Sequence, residues 1–252
     1  MARSANSRHP VRRPTLLPLA AVLVVLLSTG RALASDTKEL ITWLLEDGRD
    51  VKDIPFTDVL AATTGKKIIP IDPAADKAWI DPLSAALDRT LVALNDPKQE
   101  IHRSGRINEA SRFIEDALRA ELNKLPGWNC TIPTIGNGEE QRSGYPDLRL
   151  ALPDGSVVFL DPKLFAADSR TSTLRTFYYE PKTLTNKVHD DARHLLVGIR
   201  HNGESGEDLR LLGWELIDVS RLRVQLKAEF QASNKDIYRE DSTVAKSPDP
   251  AK

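Results

Sequence analysis

The chain holds a single cysteine, Cys130, so no disulfide can form within it and its core alone must hold it together. Beyond one stretch near the start, it has no apolar run approaching the ~20 residues that span a bilayer as a helix. It carries no glycine-rich phosphate loop, no serine nucleophile elbow and no internal repeat. It also lacks an excess of positive charge, with 35 Lys and Arg against 36 Asp and Glu. That balance excludes a polybasic nucleic-acid coat protein, and any contact with phosphate must come from a local basic patch.

What is present begins with a basic segment containing Arg8, Arg12 and Arg13, followed by an apolar run from Leu16 to Leu27. The run is too short for a membrane span but suits the core of a secretory signal, and Ala32-Leu33-Ala34 supplies a small-x-small cleavage site. The expectation is a signal peptide over 1–34, with Ser35 as the mature N-terminus and a periplasmic or secreted product. Residues 1–34 contain five basic side chains and no acidic one, so the remainder has 30 basic against 36 acidic residues, a net charge of −6.

After the signal, hydrophobic spacing predicts helices over Asp36–Glu46, Ile80–Leu94 and Ile107–Leu125, the last with the longest apolar stripe. Residues 49–77, with Pro55, Gly65, Pro70 and Pro73, read as a connector with little regular structure. Beyond Pro126-Gly127 the pattern turns to strands. Trp128–Thr134, Asp147–Leu152 and Val157–Phe165 are strand candidates, the last two joined by a Pro153-Asp154-Gly155-Ser156 turn that signals a hairpin. Leu174–Tyr179 reads as extended, Thr183–Arg193 as a short helix exposing Lys187, His189 and Arg193, Leu195–Arg200 and Leu211–Val219 as strands, and Ser220–Ala232 as a closing helix. A polar tail follows from Asp241. Cys130, Trp128, Trp214, Tyr178 and Tyr179 are expected in the core. The expected organisation is an N-terminal helical extension over 35–100, a domain over 101–240 and a tail over 241–252. The fold class is α/β, with a mixed sheet and helices on its faces.

The chemistry gathers on the hairpin. Asp161 and Lys163 lie two apart on one strand, so they share a face. Asp147 begins the partner strand, so all three groups can meet at one end of the sheet. Two neighbouring carboxylates repel unless a cation joins them. Mg²⁺ suits such a site, since it commonly uses one or two carboxylates together with substrate phosphate oxygens. The expected cofactor is Mg²⁺ or Mn²⁺, and the ammonium of Lys163 would hold an attacking water.

At Pro146-Asp147 and Asp161-Pro162-Lys163 the sequence resembles the PD-(D/E)xK nuclease superfamily, which includes many type II restriction endonucleases. The resemblance in element order runs from about Ile101 to Val219. It implies a restriction-endonuclease-like core of helix, three strands, helix and strand, and metal-dependent hydrolysis of DNA. It also implies that Asp147 and Asp161 bind the metal, that Lys163 positions water, and that an acidic residue of the first helix assists. Glu109, four residues after Gly105, is the expected assistant, with Glu115 as the alternative. Pro162 departs from the usual apolar residue. It removes a backbone donor and requires an edge, a bulge or an unpaired stretch. The competing expectation, motivated by Pro162, the acidic balance and the lack of a basic stripe, is a non-catalytic exported domain that keeps this fold for binding or scaffolding; a wide gap between Asp147 and Asp161, or their placement on opposite sheet faces, would favour it. The histidines of His189-Asp190-Asp191-Ala192-Arg193-His194 are five apart and do not share a helical face, so a zinc site there is not expected.

Overall fold

The computed structural model describes residues 37–42, 52–104, 107–174, 176–182, 184–227, 232–237 and 239–245. The expected signal over 1–34 lies outside the described residues, as does the end of the tail from residue 246. Of the first expected helix, residues 37–42 are helical and the rest lies outside the described residues. The chain divides into two compact units, Lys52–Gln225 and the paired terminal segments Met1–Val51 and Leu226–Lys252. In the terminal unit, Asn234–Ile237 forms a single helical turn.

The larger unit opens with strand β1 (Ile54–Pro55) and helix α1 (Phe56–Thr64), in a region where the prolines and glycine suggested only a connector. Phe56 and Leu60, four apart on one face, are fully buried. Gly65 ends the helix in the left-handed conformation, with its N–H on the carbonyl of Ala61. Helix α2 (Lys77–Leu94) buries Trp79, Leu83, Leu87, Leu91 and Leu94 along one stripe. A 3₁₀ turn at Ile107–Glu109 leads into α3 (Ala110–Leu122), where Ala110, Ile114, Leu118 and Leu122 repeat every fourth residue into the core. At its end the Asn123 side chain donates to the carbonyl of Cys130 at 2.9 Å and accepts from its N–H at 2.6 Å, tying the helix to the next strand.

The sheet consists of β2 (Asn129–Thr131), β3 (Leu148–Ala151), β4 (Val157–Ala166), β5 (Arg193–His201) and β6 (Leu211–Asp218), adjacent in that order. All neighbours are antiparallel except β4 and β5, which are parallel. This is the mixed sheet of the expected restriction-endonuclease-like fold. β4 runs through the middle and is buried on both faces in its first half. Val158 and Leu160 join the cluster formed with α2 and α3, whereas Val157 and Phe159 face Phe56 and Leu60 of α1. Each fully buried leucine or phenylalanine contributes about 1.5–3 kcal/mol by leaving water. Because α2 packs in the same cluster as α3, the helix expected in an N-terminal extension is an integral part of the core.

Two expected helices do not form among the described residues. The described residues between Ala166 and Arg193 contain no helix, so the parallel crossover from β4 to β5 is irregular chain, and Arg193 already belongs to β5. The expected closing helix is instead a 3₁₀ turn (Val219–Arg221) and strand β7 (Arg223–Val224), which pairs with β1; residues 228–231 lie outside the described residues. Side chains anchored to other segments explain the first difference. Arg193 pairs with Asp76 at 2.7 Å, Asp190 accepts two hydrogen bonds from Arg149, and Val188 and Ala192 pack beside Phe56. A helix would turn these anchors to different sides, whereas extended chain satisfies them all. Tyr178, expected in the core, is half exposed.

His194 is fully buried, with Nδ1 2.6 Å from the Tyr145 hydroxyl and the two rings stacked. Burial pulls its pKa down to about 3. Between about pH 6.5 and pH 3 the unfolded imidazole is protonated and the folded one is not, so stability falls as pH drops through that window and is unaffected above it. In His194→Phe this component vanishes. Urea unfolding between pH 6.5 and 4 would show a slope of stability against pH shallower by up to about 1.4 kcal/mol per pH unit. An unaltered slope would assign the acid sensitivity to other groups.

Candidate active site

The pairing of β3 with β4 ends at Leu148 opposite Leu160. Extending that register by one residue sets Asp147 against Asp161. From Asp161 onward, β4 keeps its parallel partner β5 but has lost β3 on the other side. This is the unpaired stretch that Pro162 requires: a residue without an N–H costs nothing on a side that offers no acceptor. The same gap lets Asp147, Asp161 and Lys163 open into a cavity of about 530 Å³.

The geometry is tight. The Lys163 ammonium lies 2.5 Å from Asp161 Oδ2 and 3.5 Å from Asp147 Oδ2. Asp161 is only 2% exposed, and its Oδ2, although so close to the ammonium, receives no well-directed hydrogen bond. Burial, and after it the charge of Asp147, push the Asp161 carboxyl up to about 7 despite the neighbouring lysine. Burial alone would depress the Lys163 ammonium, but Asp161 and Asp147 outweigh it and hold it above its ordinary value.

Glu115 of α3 lines the same cavity. Burial and the charge of Asp147 raise its carboxyl to about 7, against the pull of Arg142, whose guanidinium lies 3.6 Å from Glu115 and 2.7 Å from Asp116. Glu109 stands elsewhere. It is exposed, accepts a hydrogen bond from Ser104 at 3.1 Å, and lines a separate surface pocket with Glu100 and Arg103. Of the expected residues, Asp147, Asp161 and Lys163 therefore converge, Glu109 does not join them, and the alternative Glu115 does. Arg142 and Tyr145 also line the cavity and carried no spacing signal. Tyr145 directly precedes Pro146-Asp147 and is held by edge-on rings of Phe56, Phe177 and Tyr179 at 5.1–5.9 Å around Phe56 and itself.

Among the described residues, no group of three or more His, Cys, Asp or Glu side chains encloses one cation position. Two carboxylates at an open cavity are instead the donor set that Mg²⁺ and similar hard cations use, with water and phosphate oxygens completing the shell. The undirected, buried Oδ2 of Asp161 and the two raised carboxyls point to the same chemistry: the site holds more negative charge than one ammonium balances. A buried Cys130, its thiol pushed up to about 12 by burial, takes no part.

A family model described as the type II restriction enzyme MjaV family matches residues 49–241. The type II restriction enzyme MjaV of Methanocaldococcus jannaschii is 31% identical over 204 residues, which cover 76% of this chain and 87% of that relative. The matched span contains the whole sheet and every residue of the acidic cavity. With its mixed five-stranded sheet and its carboxylates at the open end of β4, this chain belongs to the MjaV family of type II restriction enzymes, among the restriction-endonuclease-like nucleases.

Proposed function

We propose that the protein is an endonuclease that hydrolyses phosphodiester bonds of DNA with a divalent cation, Mg²⁺ or Mn²⁺, held by Asp147 and Asp161. The observation that carries this reading is a carboxylate buried to 2% exposure, beside a second carboxylate and within 2.5 Å of an ammonium, at the floor of an open cavity. The substrate class follows from family membership and from the name of the relative, a restriction enzyme.

A cation bound there supplies Lewis acidity for water and for the phosphoryl oxygens. The chain's own residues do the rest. Asp161 is fixed on a central strand, and Asp147 approaches it from the chain that leads into the neighbouring one. Lys163 places its ammonium where it can hold a water and face a phosphate oxygen. Glu115, with a carboxyl near neutrality, can take up a proton on the α3 side of the cavity, in the assisting position first assigned to Glu109. Arg142 adds positive charge at the mouth, offsetting locally the acidic balance of the whole chain.

The segment 1–34 is part of the proposal. Its basic start, its apolar run over Leu16–Leu27 and Ala32-Leu33-Ala34 support export to the periplasm or beyond, with the family match beginning only at residue 49. Sequencing the N-terminus of protein recovered outside the cytoplasm should give Ser35; full-length cytoplasmic chain beginning at Met1 would overturn export.

Purified protein should cleave plasmid DNA with Mg²⁺ or Mn²⁺ and stop on chelation. Lys163→Ala and Asp161→Asn should each lower the rate by about 10²–10⁴-fold while leaving the circular dichroism spectrum unchanged. An inactive wild type with an intact fold would favour the binding-domain alternative.

Cation binding requires ionised carboxylates, and Asp161 and Glu115 hold their protons up to about pH 7. Mn²⁺ affinity from calorimetry should therefore rise as pH increases from 5.5 toward 7, by about tenfold per unit for each proton displaced, and flatten above. Affinity that is flat or falling over that range removes the raised carboxyls from the site.

A further inference from the structure

Lys187 was expected on an exposed helix face, yet it is 2% exposed, on irregular chain. A buried ammonium ordinarily finds a carboxylate. This one instead donates to three backbone carbonyls in succession: Gln141 at 3.0 Å, Arg142 at 3.4 Å and, most closely, Gly144. Those carbonyls belong to the polar loop before β3, whose side chains and backbone from Arg142 to Tyr145 form one wall of the acidic cavity.

We infer that Lys187 is a positioning residue for the cation site: by clamping the carbonyls of Gln141, Arg142 and Gly144 from behind, it sets the wall that carries Arg142 against Glu115 and delivers Asp147 opposite Asp161. The inference rests on the proposed cation-dependent nuclease reading and deepens it, since Lys187 touches neither carboxylate nor substrate.

The loop needs such a clamp. The β3 ladder begins only at Leu148, so Asp147 and the residues before it receive no register from the sheet. Within the loop, Ile135 and Gly138 close a turn, and Gln141 returns its N–H to Pro133. Beyond Gln141, the carbonyls of Arg142 and Gly144 are fixed by Lys187. A neutral hydroxyl could satisfy one carbonyl and a neutral amide two. Three converging carbonyls suit the three protons of an ammonium, whose hydrogen bonds are also the stronger charge-assisted kind. Its position behind the acidic group adds a favourable field: Asp147, Asp161 and Glu115 all act to keep it charged, against the burial that pulls its pKa down to about 8. Lys163 in front and Lys187 behind thus bracket the carboxylates, one at the reacting face and one holding the frame.

The test compares Lys187→Met, which keeps the length and loses every donor, with Lys187→Arg, which keeps charge and donors. Both are measured for Mn²⁺ affinity by calorimetry and for DNA cleavage as a function of Mn²⁺ concentration. Lys187→Met should weaken Mn²⁺ binding tenfold or more and raise the half-saturating Mn²⁺ concentration by a similar factor, with much of the maximal rate returning at saturating cation. Lys187→Arg should recover most of the affinity. A purely structural lysine would lower the unfolding midpoint and leave Mn²⁺ affinity of the folded fraction alone. Gly144→Ala provides an independent probe should Lys187→Met not fold. Gly144 has φ +83°, and an added Cβ meets nothing within 4 Å, so the substitution strains the clamped backbone without a clash. It should weaken Mn²⁺ binding in the same way, and non-additively with Lys187→Met. Wild-type Mn²⁺ affinity and half-saturation in Lys187→Met, or in Gly144→Ala where the first variant does not fold, overturns the positioning role alone. Absence of Mn²⁺ uptake and cleavage in the wild type overturns the nuclease reading and this inference with it.

Discussion

A carboxylate that cannot be left in peace sits at the centre of this protein. Asp161 is placed by the sheet where water scarcely reaches it, and burial, followed by the charge of Asp147, penalises its ionised form. Lys163 lowers that cost without removing it, because Asp147 adds a second negative charge to the same ammonium. A buried ion pair supported by so few directed hydrogen bonds contributes little to stability, since desolvation consumes most of the Coulombic gain. Its persistence makes physical sense as a site that is incomplete without a divalent ion.

The fold supplies that site by leaving something out. β3 stops one residue before it would cover Asp161, and the interruption does three things together. It frees one side of β4 for Pro162, it turns Asp147 from a ladder residue into a cavity residue, and it opens the strand end to α3 and Glu115. Rigid and loose elements divide the work. Asp161 and Lys163 ride on a strand held by the parallel ladder to β5 and by packing on both faces. Asp147, Arg142 and Tyr145 come from chain that the sheet does not organise, and depend on aromatic contacts around Phe56 and on the ammonium of Lys187.

What the sequence disclosed follows the same division. The stripes of α2 and α3 were legible because burial imposes a period of 3.6 on them, β3 because it imposes a period of 2, and β4, β5 and β6 as short apolar runs bounded by turn residues. The convergence of Asp147, Asp161 and Lys163 was legible because the Asp154-Gly155 turn sets the hairpin register. α1 was not, since nine residues between Pro55 and Gly65 offer only Phe56 and Leu60 as buried signal. The chain from 183 to 193 was misread as a helix because its polar residues look like a solvated face. Asp190, Arg193 and Lys187 are in fact anchors, for Arg149, for Asp76 and for the carbonyls of the loop, while His189 stays exposed; nothing local distinguishes a lysine that meets water from one that meets three carbonyls. Glu109 and Glu115 pose the same problem in smaller form. Both follow Gly105 at plausible distances, but six residues apart they do not share a helix face, and only Glu115 lines the cavity.

That missing crossover helix has a consequence for the active site. Parallel strands are usually joined by a helix, whose polar face is free to meet water. Here the β4–β5 connection is irregular among the described residues, and several of its polar side chains reach other segments. Lys187, Asp190 and Asp191 each take a partner from another segment: the loop before β3, Arg149 of β3, and the N–H of Lys67. The connection thereby ties together the elements around the cavity, which a self-contained helix would not do. An irregular crossover in this position is a tether for the acidic site, and its polar residues are as much a part of the site's rigidity as the strands are.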